Sequence, residues 1–344
     1  MQLELVDLDL PMRHPFTIAH GTTIVQQNLL VELTQDGVTG YGEGASADAY
    51  PEFTAGSMRA AIETARGQIE SETLEDPAQL WEHLLPALGH NRFALCAVDE
   101  AAHDLWGKLR GAPVWRLWGL EPRDLPLSDY TIGIDPVEKM VAKMKEFDGW
   151  PIYKIKLGTP RDLEIVRELR RHTNAVFRVD ANTAWTADQT IAFAPELKQL
   201  GVEFIEQPLP AGDWEGMRRV FKECALPVLA DESCLVEEDV AKCAGFFHGI
   251  NIKLTKAGGL TPARRMIAQA RELGLKVMVG CMNESTIGIS AIAQLLPLLD
   301  YVDMDGALLI AKDVATGARL ELGRPILPDE NGNGVRLLDR NPSH

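Results

Sequence analysis

The chain is predicted to be an α/β protein, a barrel of alternating strands and helices joined to a smaller α+β domain. Three observations carry this. From Leu125 onward, short apolar runs recur, most of them followed by a stretch of helical period. The residues in this half that can do chemistry, Lys156, Asp180, Glu206, Asp231, Lys256 and Asp305, are separated by 24, 26, 25, 25 and 49 residues, the length of one βα unit and its double. At 344 residues the chain also exceeds what a single compact core usually fills, which leaves room for a second domain ahead of the barrel.

Residues 1 to about 45 read as strands. Met1 to Leu10 alternates apolar and polar residues, Asn28 to Thr34 and Val38 to Gly42 continue the pattern, and Asp36-Gly37 is a hairpin turn signal. Helical spacing follows at Ser57 to Gln68, Pro77 to Leu85 and Ala94 to Leu109, closed by Gly111 and Pro113. The barrel strands are expected at Tyr130–Ile134, Tyr153–Leu157, Val176–Val179, Val202–Ile205, Val228–Ala230, Ile250–Leu254, Lys276–Val279 and Tyr301–Met304, the eight that a closed barrel needs. From Ala311 on, Gly317, Gly323, Pro325 and the run Asn331 to Gly334 read as loops and short strands. The expected division is therefore an α+β domain over 1–122, a barrel over 123–310, and a final segment, 311–344, packing back on the first domain.

The balance of charge excludes one broad class of function. Thirty-four basic against fifty acidic residues give a net charge of −16 and a pI near 5.0, the opposite of the basic footprint that nucleic acid requires. The five cysteines, Cys96, Cys224, Cys234, Cys243 and Cys281, are odd in number and lack paired metal spacing, which favours a reducing cytoplasm over a disulfide framework or a zinc site. No basic-then-apolar leader opens the chain and no apolar run reaches membrane-spanning length, so no membrane association is expected.

Asp180, Glu206 and Asp231 each follow an apolar strand, in Val-Asp180-Ala-Asn182, Ile-Glu206-Gln207-Pro208 and Ala-Asp231-Glu232-Ser233. Three acids at adjacent strand ends repel one another unless a cation lies among them, and hard oxygen ligands suit Mg²⁺. Lys154 and Lys156 lie two apart on one strand, so both face inward, where like charge and partial burial are expected to tune a lysine down toward a general base. Lys256, four βα units further on, falls across the mouth from Lys156, with Lys253 as the alternative base on that side. Two bases on opposite sides of a carbon suit removal of a proton from one face and its return on the other. Asp303 and Asp305 can reach the mouth together and form a receptor for a substrate ammonium group. Cys281 follows strand seven and is expected to line the site rather than act as a nucleophile, because no histidine lies near it in sequence.

With these residues in place, the chain resembles the enolase superfamily, in its muconate-lactonizing-enzyme subgroup, and within that the dipeptide epimerases related to L-Ala-D/L-Glu epimerase. The matching segments are Lys154-x-Lys156, Asp180-Ala-Asn182, Glu206-Gln-Pro208, Asp231-Glu-Ser233, Lys256-x-Gly258-Gly259 and Asp303-x-Asp305, together with Gly40-Tyr-Gly-Glu43-Gly and the stretch Ala97 to Lys108 ahead of the barrel. The resemblance covers essentially the whole chain. It implies a modified TIM-type (β/α)7β barrel with an α+β capping domain, Lys156 and Lys256 as an acid/base pair, Mg²⁺ on Asp180, Glu206 and Asp231, and a two-base 1,1-proton transfer at the C-terminal residue of a dipeptide through a metal-stabilised enolate. Lys154, Thr131, Cys281, Asn283, Asp303, Asp305 and His20 are implied as substrate-binding residues. Relatives acting on Ala-Glu often carry an arginine in the first capping loop, where this chain has His20, and Asn283 stands where an apolar residue is common, so the pocket for the second residue is expected to be more polar and to lack the partner of an acidic side chain. The rival readings are an N-acylamino acid racemase, an o-succinylbenzoate synthase or a muconate cycloisomerase of the same subgroup and, from another class, a non-catalytic binding barrel. All are compatible with a homo-oligomer.

Overall fold

The computed structural model describes residues 1–19 and 21–338. It opens on a three-stranded antiparallel sheet of β1 (Gln2–Ile18), β2 (Gly21–Gln35) and β3 (Val38–Ala45). The sheet carries α1 (Ala55–Ser71), α2 (Pro77–Leu88), α3 (Arg92–Arg110) and a short turn of helix, α4 (Val114–Leu117). Alternation along β2 sends Leu29, Val31 and Leu33 into a core with Met58, Ile62, Leu84 and Phe93, while Leu30, on the opposite face, joins the barrel core. The glycines of the Gly40 to Gly44 segment have a steric reason. A Cβ at Gly40 would lie 2.5 Å from Leu105 Cβ, and one at Gly42 2.5 Å from the Ala101 nitrogen, so only glycine lets β3 lie this close to α3.

The barrel follows: β4 (Tyr130–Ile132), α5 (Val137–Glu146), β5 (Ile152–Lys156), α6 (Asp162–Arg170), β6 (Val176–Asp180), α7 (Ala187–Gln199), β7 (Val202–Glu206), α8 (Trp214–Glu223). It continues through β8 (Val228–Ala230), α9 (Glu237–Cys243), β9 (Gly249–Lys253), the short α10 (Leu254–Ala257), α11 (Leu260–Glu272), β10 (Lys276–Gly280), α12 (Thr286–Ala293), β11 (Tyr301–Asp303) and α13 (Gly306–Leu309). All eight strands, β4 to β11, pair in parallel and in sequence order, and a parallel bridge from Ser128 to Val302 brings the two ends of the sheet together. Each expected barrel strand is present, with boundaries displaced by at most two residues. β1 is longer than the Met1 to Leu10 pattern indicates, because pairing with β2 carries it through Pro11 to Ile18 with a register shift between Pro11 and Phe16. No helix among the described residues is long and apolar enough to cross a membrane, and all five cysteines are free.

Buried acids fasten the first 120 residues to the barrel. Asp99 of α3 accepts from the Thr261 nitrogen at 2.9 Å and its hydroxyl at 2.7 Å, so a side chain from another element supplies the first turn of α11 with an acceptor. Asp104 accepts from the Tyr41 and Asn333 nitrogens, joining α3 to β3 and to the last described residues. Glu43 of β3 sits at the N-terminus of α12, taking the Ser285 hydroxyl at 2.6 Å and the Ser285 and Gly288 nitrogens. Close to it lie two more buried carboxyls, Glu100 and Glu284. Burial and the neighbouring Glu43 push Glu284 up to about 8, from an ordinary value near 4.5.

The folded chain therefore keeps a proton on Glu284 that the unfolded chain releases at lower pH. Its contribution to stability is complete below about 4.5 and is lost as pH rises through about 8. Glu284→Gln removes this titration while keeping the acceptor for the Met282 nitrogen. The variant should gain melting temperature relative to the parent progressively between pH 5 and pH 9. A Tm difference that stays constant over this range would contradict the assignment.

Candidate active site

The parallel strands end at one mouth, and their terminal residues carry the charge. Asp180 is the last residue of β6, Glu206 the last of β7 and Asp303 the last of β11, while Asp231 follows β8 directly. Lys154 and Lys156 both project inward from β5, with Lys154 only 1% and Lys156 7% exposed. Lys256 lies on α10, beyond β9, and Asp305 precedes α13. A chamber of about 100 Å³ opens between this mouth and the first sheet, lined on the barrel side by Thr131, Lys156, Lys253, Cys281, Asn283 and Asp305 among others.

Lys154 holds the centre. Its Nζ is 2.8 Å from Glu206, 2.8 Å from Asp303 and 3.4 Å from Asp180. Burial acts to lower this ammonium, but Asp303, Glu206 and Asp180 outweigh it and hold it well above its ordinary range. The expectation that the Lys154 and Lys156 charges tune each other down is therefore corrected for Lys154, where the surrounding carboxylates dominate. Lys156 pairs with Asp180 at 2.6 Å. Across the mouth, Lys253 pairs with Asp231 at 3.0 Å, and Lys256 donates to both the side chain and the backbone carbonyl of Asp231. Burial lowers Lys256, Asp231 more than reverses that, and the net direction is up. Asp231 is held far below the carboxylate range by Lys253 and Lys256 despite its burial.

The donor set of Asp180, Glu206 and Asp231 fits a hard divalent cation. One oxygen from each lies within 4.8 Å of the others, all three residues are buried, and their chemistry is oxygen only. Asn251 of β9 donates to Glu206 at 2.7 Å and fixes that carboxylate. Gln207 does the same for the loop after β8, accepting from the Asp231 and Ser233 nitrogens.

Asp303 and Asp305 are near each other but unlike. Asp303 pairs with Lys154 and is held below the usual carboxylate range, while its Oδ1 has no partner among the described residues. Asp305 accepts from the Thr131 nitrogen at 2.6 Å, and burial together with Asp303 pushes it up to about 8. The pair thus offers one firm negative charge and one carboxyl ready to ionise when a cation approaches. Cys281 lies against Asp305 with its thiol pushed well up by burial and by Asp303, in keeping with a lining role. Asn283 faces the chamber from the loop after β10. His20 lies outside the described residues.

Three residues of the site were not singled out from sequence. Asn251 is two residues before Lys253 on the same strand, so strand alternation already placed it on the inward face. Glu232 lay unremarked inside the Asp231-Glu-Ser233 match and is pushed up to about 8 by burial and Asp231. Tyr50 reaches the chamber from the loop after β3, where the Lys256 charge acts on it through space, and nothing in the sequence signalled that coupling.

Two family models match the chain: the mandelate racemase / muconate lactonizing enzyme N-terminal domain over residues 2–119, and the enolase C-terminal domain-like family over 137–341. An L-Ala-D/L-amino acid epimerase from a Maribacter species is 55% identical over 338 residues, spanning 98% of this chain and 99% of its own. A protein of the same name from Flavobacterium johnsoniae is 52% identical over 338 residues, spanning 98% of this chain and 100% of its own. Among solved structures, the dipeptide epimerase from Methylococcus capsulatus complexed with Mg and the dipeptide L-Arg-D-Lys is similar with a TM-score of 0.89 and 33% identity, over 97% of this chain and 98% of its own.

Mg²⁺ at a hundred times its dissociation constant should stabilise the fold by about 2.7 kcal/mol, visible as a rise in Tm. Asp231→Asn should abolish the rise, whatever its effect on the metal-free Tm. An equal Mg²⁺-dependent rise in that variant would remove Asp231 from the ligand set.

Proposed function

Because the chain belongs to the enolase superfamily, in its mandelate racemase / muconate lactonizing enzyme branch, we propose that it is an Mg²⁺-dependent dipeptide epimerase that inverts the α-carbon of the C-terminal residue. The observation that carries this reading is the arrangement of lysines around the acid trio. Lys156 stands against Asp180 on one side, Lys256 against Asp231 on the other, and three intervening strands, β6, β7 and β8, separate the strands that bring them. A substrate carbon held between two lysine Nζ atoms, one a free amine and the other an ammonium, can lose its proton to the first and receive a proton from the second, which inverts it.

Asp180, Glu206 and Asp231 are the residues that would hold Mg²⁺, which supplies positive charge against the charge that develops on the substrate carboxyl as the α-proton leaves. Lys154 adds a second, permanent cation on the same side and orients that carboxyl. Asp303, paired but with one oxygen unused, and Asp305, backed by Thr131, receive the free ammonium of the dipeptide. β1, β2 and the loop bearing Tyr50 line the chamber from the other side, and closing them over a substrate would exclude water from a carbanion-like species that water would quench. Lys253 lines the chamber, whereas Lys256 is not part of its lining, and Lys253 too pairs with Asp231, so it competes with Lys256 for the role of second base.

In D₂O with Mg²⁺, an L,L-dipeptide should take up one deuterium at its C-terminal α-carbon while its epimer accumulates. Lys156→Ala and Lys256→Ala should each lower epimerisation by about a thousandfold, within the usual span for loss of a general acid or base, and each should retain exchange with only one of the two epimers. Lys253→Ala should keep exchange with both. Turnover of N-acetylated but not free dipeptides would instead favour an acylamino acid racemase. Loss of single-epimer exchange in Lys253→Ala rather than Lys256→Ala would exchange the roles of those two lysines.

A further inference from the structure

The chamber wall formed by Asn283, Gln26 and Ser46 has a fixed hydrogen-bond polarity, and that polarity runs across four side chains. Ser46 presents its backbone carbonyl, which can only accept, and its hydroxyl, already donating to the Gln27 carbonyl. Gln26 must therefore turn its Nε2 toward Ser46, at 2.7 Å from the carbonyl, and its Oε1 toward Asn283. Asn28 fixes the same direction independently. Its Nδ2 donates to Glu43 at 2.7 Å and to the Asn283 backbone carbonyl at 2.9 Å, so its Oδ1 is the acceptor left for Gln26, at 2.8 Å. Facing Gln26 Oε1, Asn283 has to donate through Nδ2, at 3.2 Å.

Both amides are thus oriented by groups whose roles cannot be inverted, two backbone carbonyls and a carboxylate. The consequence falls on Asn283 Oδ1, which has no partner among the described residues and belongs to a side chain that lines the chamber. Gln26 is 4% exposed and Asn28 fully buried, so rotating the chain of amides would strand buried donors. Asp48 is the one formal charge on the cap side of the chamber among the described residues.

Resting on the reading of the site as a dipeptide epimerase, we propose that Asn283, held by Gln26, is a specificity-determining acceptor that selects dipeptides with an uncharged hydrogen-bond donor, a hydroxyl or amide, on a side chain reaching this wall. A site built to accept a hydrogen bond discriminates against an isostere that cannot donate one, because the acceptor is then desolvated without a partner.

Threonine and valine differ in little but this donor. The test compares kcat/KM of the full chain with Mg²⁺ for L-Ala-L-Thr against L-Ala-L-Val and for L-Thr-L-Ala against L-Val-L-Ala, with L-Ala-L-Ala as reference. In at least one pair the threonine member should lead by about tenfold, the equivalent of one hydrogen bond. Asn283→Leu should reverse that preference. Turnover of L-Ala-L-Ala with valine equal to or ahead of threonine in both pairs overturns this proposal alone. Failure to exchange any of the five dipeptides overturns the epimerase reading and this proposal with it.

Discussion

The contact on which the barrel mouth depends is the buried ammonium of Lys154 among Glu206, Asp303 and Asp180. Converging strand ends bring at least five acids, Asp180, Glu206, Asp231, Asp303 and Asp305, into a space from which water is largely excluded, and each charge taken out of water costs several kcal/mol unless it is paired. One lysine reaching three of them, from a strand that also delivers Lys156 to Asp180, lets the set exist without protonating all of its members. Lys253 and Lys256 do the same for Asp231 on the far side. Pairing does not hold every acid down: Asp305 and Glu232 rise to about 8 through burial and a neighbouring aspartate, and Glu206 rises as well because burial and Asp180 outweigh Lys154.

The first domain is held to this mouth by side chains that end other elements. Asp99 meets the first turn of α11, Glu43 the first turn of α12, and Asp104 the backbone of β3 and of Asn333. Each satisfies donors that a helix or strand end would otherwise leave bare, so fastening the two parts also completes their secondary structure. The glycines of β3 belong to the same device, since they let α3 approach until its acids can reach across. Because Glu43 is both a fastener and the start of the amide chain that ends at Asn283, the substrate chamber takes its wall polarity from the junction that positions it.

Much of this was legible in the chain. Barrel strands announced themselves because each is a short apolar run, several of them closed by a charged residue, and those charged residues repeat with the unit that carries them. The acid trio and the paired lysines were visible for the same reason: their placement follows from strand direction alone. Features set by contacts through space were not. The unlike behaviour of Asp303 and Asp305 comes from Lys154, about 150 residues away in sequence, which holds Asp303 down, and from burial and the Asp303 charge, which raise Asp305. The tuning of Lys154 was misjudged from its neighbour Lys156, because local sequence shows the like charge two residues away and hides the carboxylates of three other strands. The extension of β1 past Leu10 was hidden by Pro11 and the register shift that absorbs it.

In the proposed site the same carboxylates would serve as ligand set and as lysine partners, and this overlap couples the two roles. Asp180 and Asp231 hold Lys156 and Lys256 in place by hydrogen bonds, and Asp231 raises Lys256 against its burial. A base must be able to give up its ammonium form, and the Asp231 charge opposes this at Lys256. A dication held by the trio would supply positive charge that offsets the Asp231 carboxylate and repels the neighbouring ammonium, and each of these effects favours the free amine of Lys256. The spacing that gathers the acids would thereby do more than form a metal site. It puts Lys156 and Lys256 against two of the three carboxylates that would hold the cation.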